Sequence, residues 1–326
     1  MENGKWAQAS ETRGGAGSRR RALALMLGAG PWLPGALSAA GTGAPVRMAF
    51  SESLVSDVNL NDARAALQVL IQRIAQHANL TVELDPKVFE TTEEILARVR
   101  KGLLDAVALN VIEFRQGADV LDSSQIVSEA GAAATEQYII VVKRDGGIRR
   151  LGDLEGRRLY MLKTPKMCLA PAWLSIILDE GRCGPAEQFF ASVTADSKSS
   201  RVVLPVFFGQ AEACLTSKRG FDTMCELNPQ VARDLQPLAA SPPMVINFYV
   251  FRKTFQGAYR DKLLAAIGIV CQGAAGQQLS ALFQFNALMV RDASCLASAL
   301  SVVERAERVR SPRRGAEQPG RGRERD

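Results

Sequence analysis

From residue 46 to residue 110 the chain alternates short apolar runs with helix-period segments, and this alternation constrains the fold more than any other feature. Residues 46–50 read as a strand, followed by a polar turn from Ser51 to Asn61. Asp62 can cap a helix whose apolar positions Ala66, Val69, Leu70 and Ile74 recur at helical spacing. Residues 80–84 read as a second strand, and residues 91–101 as a helix with Thr91 and Glu94 at capping-box spacing. Residues 106–109 form a third apolar run that ends at Asn110. Strand, helix, strand, helix, strand is the order of a parallel sheet covered by helices.

A second α/β half follows. Strands are expected at 138–142, 159–162, 189–191, 213–216 and 245–251, with helices at 172–180, 199–207, 259–273 and 275–283. The reading divides the chain into lobe 1 (45–142 plus 252–303) and lobe 2 (143–251), with hinge segments near 143–150 and 245–252. Two crossings between lobes make a hinge, and the cleft between the lobes is the expected ligand site. Residues 304–326 are rich in Arg, Pro and Gly and are expected to be a disordered basic tail.

The net charge of +6 raises the question of nucleic acid, and its placement answers it. Residues 1–44 hold five Lys/Arg against two Asp/Glu, and residues 304–326 hold eight against five. The remaining stretch is balanced, 27 of each sign, so no basic field covers the folded part and a nucleic-acid partner is rejected. Residues 1–44 read as an N-terminal extension and export signal. Arg19, Arg20 and Arg21 precede an apolar stretch from Ala22 to Leu37, and small residues at Ser38 and Ala40 suit cleavage. The route is Sec or twin-arginine, and the expected location is periplasmic. The six Cys, at 168, 183, 214, 225, 271 and 295, contain no CxxC, and their pairing is left open between disulfides and buried free thiols. The one histidine, His77, lies within a helix pattern and is expected to be a solvated helix residue, and a Ser-His-Asp or Cys-His arrangement would need this same residue as its base. No metalloprotease, nucleophile-elbow, phosphate-loop or dinucleotide motif occurs. The expectation is a protein that is not an enzyme and carries no metal or cofactor.

Several blocks together resemble the substrate-binding proteins of ABC importers in the phosphate/phosphite/phosphonate-binding family. They are Tyr138-Ile139-Ile140-Val141-Val142 followed by Leu151-Gly152-Asp153-Leu154-Glu155-Gly156-Arg157, and the run from Gly102 to Asn110. With them go Ser197-Lys198-Ser199-Ser200 leading to Gly209-Gln210-Ala211-Glu212-Ala213, and Glu226-Leu227-Asn228-Pro229-Gln230 with Ser241-Pro242-Pro243. The similarity covers roughly residues 45–290. It implies a type 2 periplasmic-binding fold of two lobes, each a mixed, mostly parallel sheet flanked by helices, joined by a two-strand hinge. It further implies a monomer that captures a small anionic solute by lobe closure and presents it to a membrane permease. The sequence departs from the family at Lys163-Thr164-Pro165-Lys166-Met167-Cys168, where a Ser/Thr-rich loop is usual, and has Lys198 and Glu212 where the family has His and Asp.

Elementary electrostatics also favours an anion. If a helix opens at Leu169, residues 164–168 place free backbone N–H groups at its positive end, with Lys163 beside them and Thr164 able to donate. Ser197, Lys198 and Ser199 stand at the start of another helix. In the first lobe Ser51, Ser53 and Asn110 follow strand ends, where open α/β sheets bind ligands. Gln210 and Glu212 complete the candidate set. Two other classes of function fit the same fold: a periplasmic sensor signalling to a membrane receptor, and an enzyme for which Cys168 is the one candidate group.

Overall fold

In a computed structural model of the chain, residues 45–83, 87–272, 277 and 287–310 are described. The expected signal over 1–44, most of the helix expected at 275–283, and residues 311–326 of the tail lie outside them. Two sheets are present. The first carries the strands β1 (Met48–Ser51), β2 (Lys87–Phe89), β3 (Ala106–Asn110) and β4 (Gln125–Glu129). The second carries β5 (Tyr138–Lys143), β6 (Arg158–Leu162), β7 (Ser192–Asp196), β8 (Ala213–Ser217) and β9 (Leu235–Ala240). The chain then returns to the first sheet with β10 (Asn247–Phe251) and β11 (Leu288–Asp292). The strand orders are β11-β4-β10-β3-β1-β2 and β7-β6-β8-β5-β9.

Both sheets are mixed. β1 pairs parallel with β2 and β3, whereas β10 runs antiparallel to β3 and β4, and β11 antiparallel to β4. In the second sheet β6 pairs parallel with β7 and β8, while β5 runs antiparallel to β8 and β9. The strand expected at 80–84 is reduced to an isolated bridge between Val46 and Val82, and β2 takes the edge position. Residues 186–189 form a short helix where a strand was expected from 189, and the strand follows at β7.

Local chemistry explains the helix ends. The first long helix, Leu60–Ala78, is capped by Asn59, whose Oδ1 accepts from the amides of Asn61 and Asp62. Asp62 sits inside its first turn. The helix stops at Asn79 in the left-handed region at φ 50°, which an Asn side chain tolerates. Ala63, Ala66, Leu67, Leu70, Ile71 and Ile74 give it one buried face over β1 and β3. At β5, Tyr138, Ile139, Ile140, Val141 and Val142 are all buried, which identifies a central strand covered on both faces. Full burial of side chains of this size stabilises by about 1.5–3 kcal/mol each.

The chain therefore crosses between sheets at residues 130–137 and again at 241–246, since β5 belongs to the second sheet and β10 to the first. The expected hinge at 143–150 instead follows β5 inside the second lobe. The crossings run side by side: Glu136 and Met244 exchange backbone hydrogen bonds of 2.7 and 2.9 Å. Gln137 Nε2 donates to the Ser241 carbonyl at 2.7 Å, and the Tyr138 amide donates to Ser241 Oγ at 2.9 Å. A third tie was not expected. Residues 304–310, assigned to the tail, continue the helix Ala297–Arg310, whose Val302, Val303 and Ala306 are buried. That helix packs on Ala170–Glu180 of the second lobe and Val111–Gln116 of the first, with an Arg305–Glu180 ion pair.

Candidate functional site

The strand directions bring one edge of each sheet to the crossings. In the first lobe β1, β3 and β4 end at Ser51, Asn110 and Glu129, and antiparallel β10 sets Asn247 opposite Asn110. In the second lobe β6, β7 and β8 end at Leu162, Asp196 and Ser217, and antiparallel β5 begins beside Ser217 with Tyr138. The two edges touch. The turn Glu52–Leu54 packs against the turn Pro165–Met167, and Lys166 Nζ lies 2.7 Å from Glu129 Oε1 across the cleft.

Ser51, Ser53 and Asn110 come together as the sequence suggested, and Glu113 organises them. Ser51 Oγ donates to Glu113 Oε1 at 2.5 Å, and the Asn110 amide donates to Glu113 Oε2 at 2.9 Å. Asn110 Oδ1 accepts from the amides of Ile112 and Glu113 at 2.9 and 3.1 Å, which closes a reciprocal capping box on the helix Val111–Gln116. Asn110 Nδ2 donates to Ser53 Oγ at 3.1 Å, and the Ser51 and Ser53 hydroxyl oxygens are 2.9 Å apart. Ser51, Asn110 and Glu113 are buried.

Across the cleft, the helix expected to open at Leu169 begins at Ala170, preceded by the turn Pro165–Met167. Neither Thr164 nor Leu169 makes a side-chain cap. Tyr138 is fully buried, as a core residue, yet its hydroxyl reaches the edge and donates to the Lys166 carbonyl at 2.8 Å. Burial pushes the Cys168 thiol up to about 12, and the Glu113 carboxylate on the facing lobe adds to the rise. A thiol so placed is a poor nucleophile at neutral pH.

Lys163 and Thr164 stand on the second-lobe edge, with Lys163 exposed. Ser197 and Lys198 follow β7 on the same edge, both exposed, and the Lys198 amide donates to Asp196 Oδ1 at 2.8 Å. Ser199 opens the helix Ser199–Phe207, which has no side-chain cap, and its hydroxyl lies in the cluster that holds Ser217 and Gly220. A Cβ at Gly220 would stand about 3.0 Å from the Ser199 and Ser217 hydroxyls, so a larger residue there requires those side chains to shift by a few tenths of an ångström.

Gln210 and Glu212 are placed elsewhere. They precede β8 and stand at the opposite edge of the sheet, where Glu212 pairs with Arg158 at the start of β6 at 3.0 Å. That hydrogen-bonded pair holds the Glu212 carboxyl below the usual carboxylate range. The motif led into the strand and not out of it, and the ligand edge of a parallel strand is its C-terminal end.

At the crossings the two edges enclose a pocket of about 250 Å³, including the solvent at its mouth. Its walls include Glu129, Thr135, Glu136, Lys166, Ile246 and Asn247. Burial pushes the Glu136 carboxyl up; Arg219 and Lys166 pull it back in part, and Glu129 adds to the rise. Glu129, Glu136 and Asn247 were not singled out from the sequence. The signal available was their position, each at the end or start of a strand or crossing, but β4 itself carries a weak strand pattern.

The geometry is that of two α/β lobes joined by paired crossings, and comparison with known proteins agrees. A family model described as "ABC transporter, phosphonate, periplasmic substrate-binding protein" matches residues 53–289, more than half of the chain. A Xanthomonas citri protein solved bound to ATP superposes with a TM-score of 0.60 at 14% identity, covering 82% of this chain and 98% of that one. A binding-protein component of an ABC phosphonate transporter from Pseudomonas aeruginosa gives 0.54 at 14% identity, covering 84% and 92%. A Prochlorococcus marinus protein in complex with methylphosphonate gives 0.52 at 13% identity, covering 80% and 98%. A comparison with curated proteins found no match. The structural likenesses establish the type 2 periplasmic-binding fold, and the match over residues 53–289 shows that the chain belongs to the periplasmic substrate-binding proteins of phosphonate ABC transporters.

Proposed function

We propose that this chain captures a small solute with an oxyanion group in the cleft between its lobes and presents it, as a periplasmic monomer, to an ABC-importer permease. The observation that carries the reading is the pair of strand edges brought face to face, Ser51, Ser53 and Asn110 on one side and Lys163 to Cys168 on the other. Lys163, Thr164, Ser197, Lys198 and Ser199 would hold the anion, since they combine amines, hydroxyls and the uncapped start of a nine-residue helix on one edge. Ser51, Ser53 and Asn110 would contact the solute from the first lobe. Gln210 and Glu212 are left out of the contact set because of their place at the far edge.

Closure follows from dividing the contacts. Each lobe holds part of the solute's hydrogen bonds, so the closed form is stabilised by the difference in affinity between closed and open states. The crossings at 130–137 and 241–246 are the hinge, and the Lys166–Glu129 pair is a contact made only when the edges meet. Export by the Sec or twin-arginine route is the reading that fits Arg19 to Ala40.

The test is a thermal-shift screen of the purified protein against phosphate, phosphite, phosphonates, sulfonates and carboxylates. A solute that binds the native state alone, at a hundredfold excess over its Kd, adds about 2.7 kcal/mol of stability. A clear shift with one oxyanion class supports the reading. No shift with any of them would remove the oxyanion from it.

A further inference from the structure

The helix Ala297–Arg310 is fastened to both lobes. It leaves the first lobe through the turn Ala293–Leu296, which follows β11, and the Ala293 amide donates to the Ser124 carbonyl at 2.9 Å, beside the start of β4. Asp292 Oδ1 accepts from the Ser294 amide at 2.8 Å and caps that turn, and Leu296 is fully buried. The link therefore belongs to the first lobe. The helix that follows buries Ala299, Val302, Val303 and Ala306, the spacing of a single helical stripe. With that one stripe the helix rests on two neighbours, Ala170–Glu180 of the second lobe and Val111–Gln116 of the first.

Those two neighbours begin at the facing strand edges. Val111–Gln116 starts at Asn110, and Ala170–Glu180 follows the turn Pro165–Met167 that meets Glu52–Leu54 across the cleft. Parting the edges moves one helix against the other, and packed interiors respond by discrete shifts of contact, not by stretching. A stripe seated on both helices must then leave one of them. The seat on the second lobe is the broader, and the Arg305–Glu180 pair lies there. That pair is half-exposed and adds little, so the apolar stripe supplies the hold. We infer that Ala297–Arg310 is a strap that favours the closed arrangement of the lobes. It rides with the second lobe, pivots at Ala293–Leu296, and gives up its seat on Val111–Gln116 when the cleft opens. Solute then meets a population already shifted toward closure, and loosening the strap lowers the apparent affinity in proportion to the closed fraction lost. The inference rests on the proposed lobe closure and names what sets its balance.

The test compares Val302→Ala with Val206→Ala, the same substitution at a buried site in the helix Ser199–Phe207, which packs on β5, β6, β7 and β8. Val303→Ala repeats the first at a second position on the stripe. Small-angle X-ray scattering of the full protein without solute reads the lobe arrangement, and thermal melting reads the loss of packing common to all three variants. The inference expects a larger radius of gyration than the parent's in Val302→Ala and Val303→Ala, and an unchanged one in Val206→Ala at a similar fall in Tm. Saturating methylphosphonate should return their scattering to the parent's. In calorimetric titration with methylphosphonate the two stripe variants should bind about threefold or more weakly than the parent, and Val206→Ala within about 1.5-fold. Stripe variants with the parent's radius of gyration would overturn the inference, and so would equal changes in all three variants. A parent that takes up no methylphosphonate counts against the oxyanion reading, and the solute-free scattering then supports or overturns the strap on its own.

Discussion

Replacing Glu113 with leucine removes the acceptor that orders the first-lobe edge. Two donors lose their partner: the Asn110 amide at 2.9 Å and the Ser51 hydroxyl at 2.5 Å, both in buried residues. Leaving a buried donor unpaired costs about 1–3 kcal/mol. The amide cannot turn away and belongs at the upper end of that range. The hydroxyl can turn to Ser53 Oγ, 2.9 Å away, and belongs at the lower end. Leucine fills most of the volume, so the cavity contribution is small. The sum is about 2–4 kcal/mol, which lowers Tm by about 4–16 °C for a domain of this size. Glu113→Gln keeps one acceptor for the Asn110 amide and should cost less than half as much. Urea unfolding of the full chain followed by circular dichroism gives both values. A leucine variant within about 0.5 kcal/mol of the parent, or a glutamine variant as costly as leucine, would refute the assigned role of Glu113.

Three further outcomes follow from the same geometry. Burial pushes the Asp105 carboxyl up, but hydrogen bonds from Arg47 and then Arg252 outweigh it and hold the carboxyl below the usual range. Its contribution is therefore present above the unfolded pKa and lost as pH falls through the folded one. Asp105→Asn should cost about 2–4 kcal/mol at pH 7, and the gap from the parent should shrink in urea titrations near pH 3. Glu212→Gln should leave solute affinity within about twofold and cost less than about 1 kcal/mol, because its pair with Arg158 is partly exposed and lies at the far edge. Calorimetry on the variant checks this. Cys168, with its thiol pushed up to about 12, should react with iodoacetamide at pH 8 at least a hundredfold more slowly in the folded protein than in urea, as read by mass spectrometry of the modified peptide.

The two-lobed α/β plan was legible because most strands announce themselves by apolar runs between helix-period segments. The lobe boundary was not. The run from Tyr138 to Val142 reads the same whether it closes the first sheet or opens the second; only its pairing with β8 and β9 decides. The same holds for β10, whose partners are β3 and β4. β7 went unread because it is largely exposed, and β9 because Pro237 interrupts its pattern. The place of Ser51, Ser53 and Asn110 at the C-terminal ends of strands was legible because they directly follow apolar runs. The place of Gln210 and Glu212 before β8, at the opposite edge of the sheet, was not legible because a resemblance block fixes neighbours in sequence but not which end of a strand they meet. Glu129 and Asn247 meet through antiparallel pairing of segments over 100 residues apart, which no local pattern records.

The central claim is that a solute is held between the two strand edges. A crystal structure of the protein with the solute giving the largest thermal shift tests it most directly. The account predicts the solute in contact with the Ser51–Asn110 edge and the Lys163–Cys168 edge at once, with the crossings at 130–137 and 241–246 beside it. A solute bound on one lobe alone, or at the edge that carries Gln210 and Glu212, would contradict it.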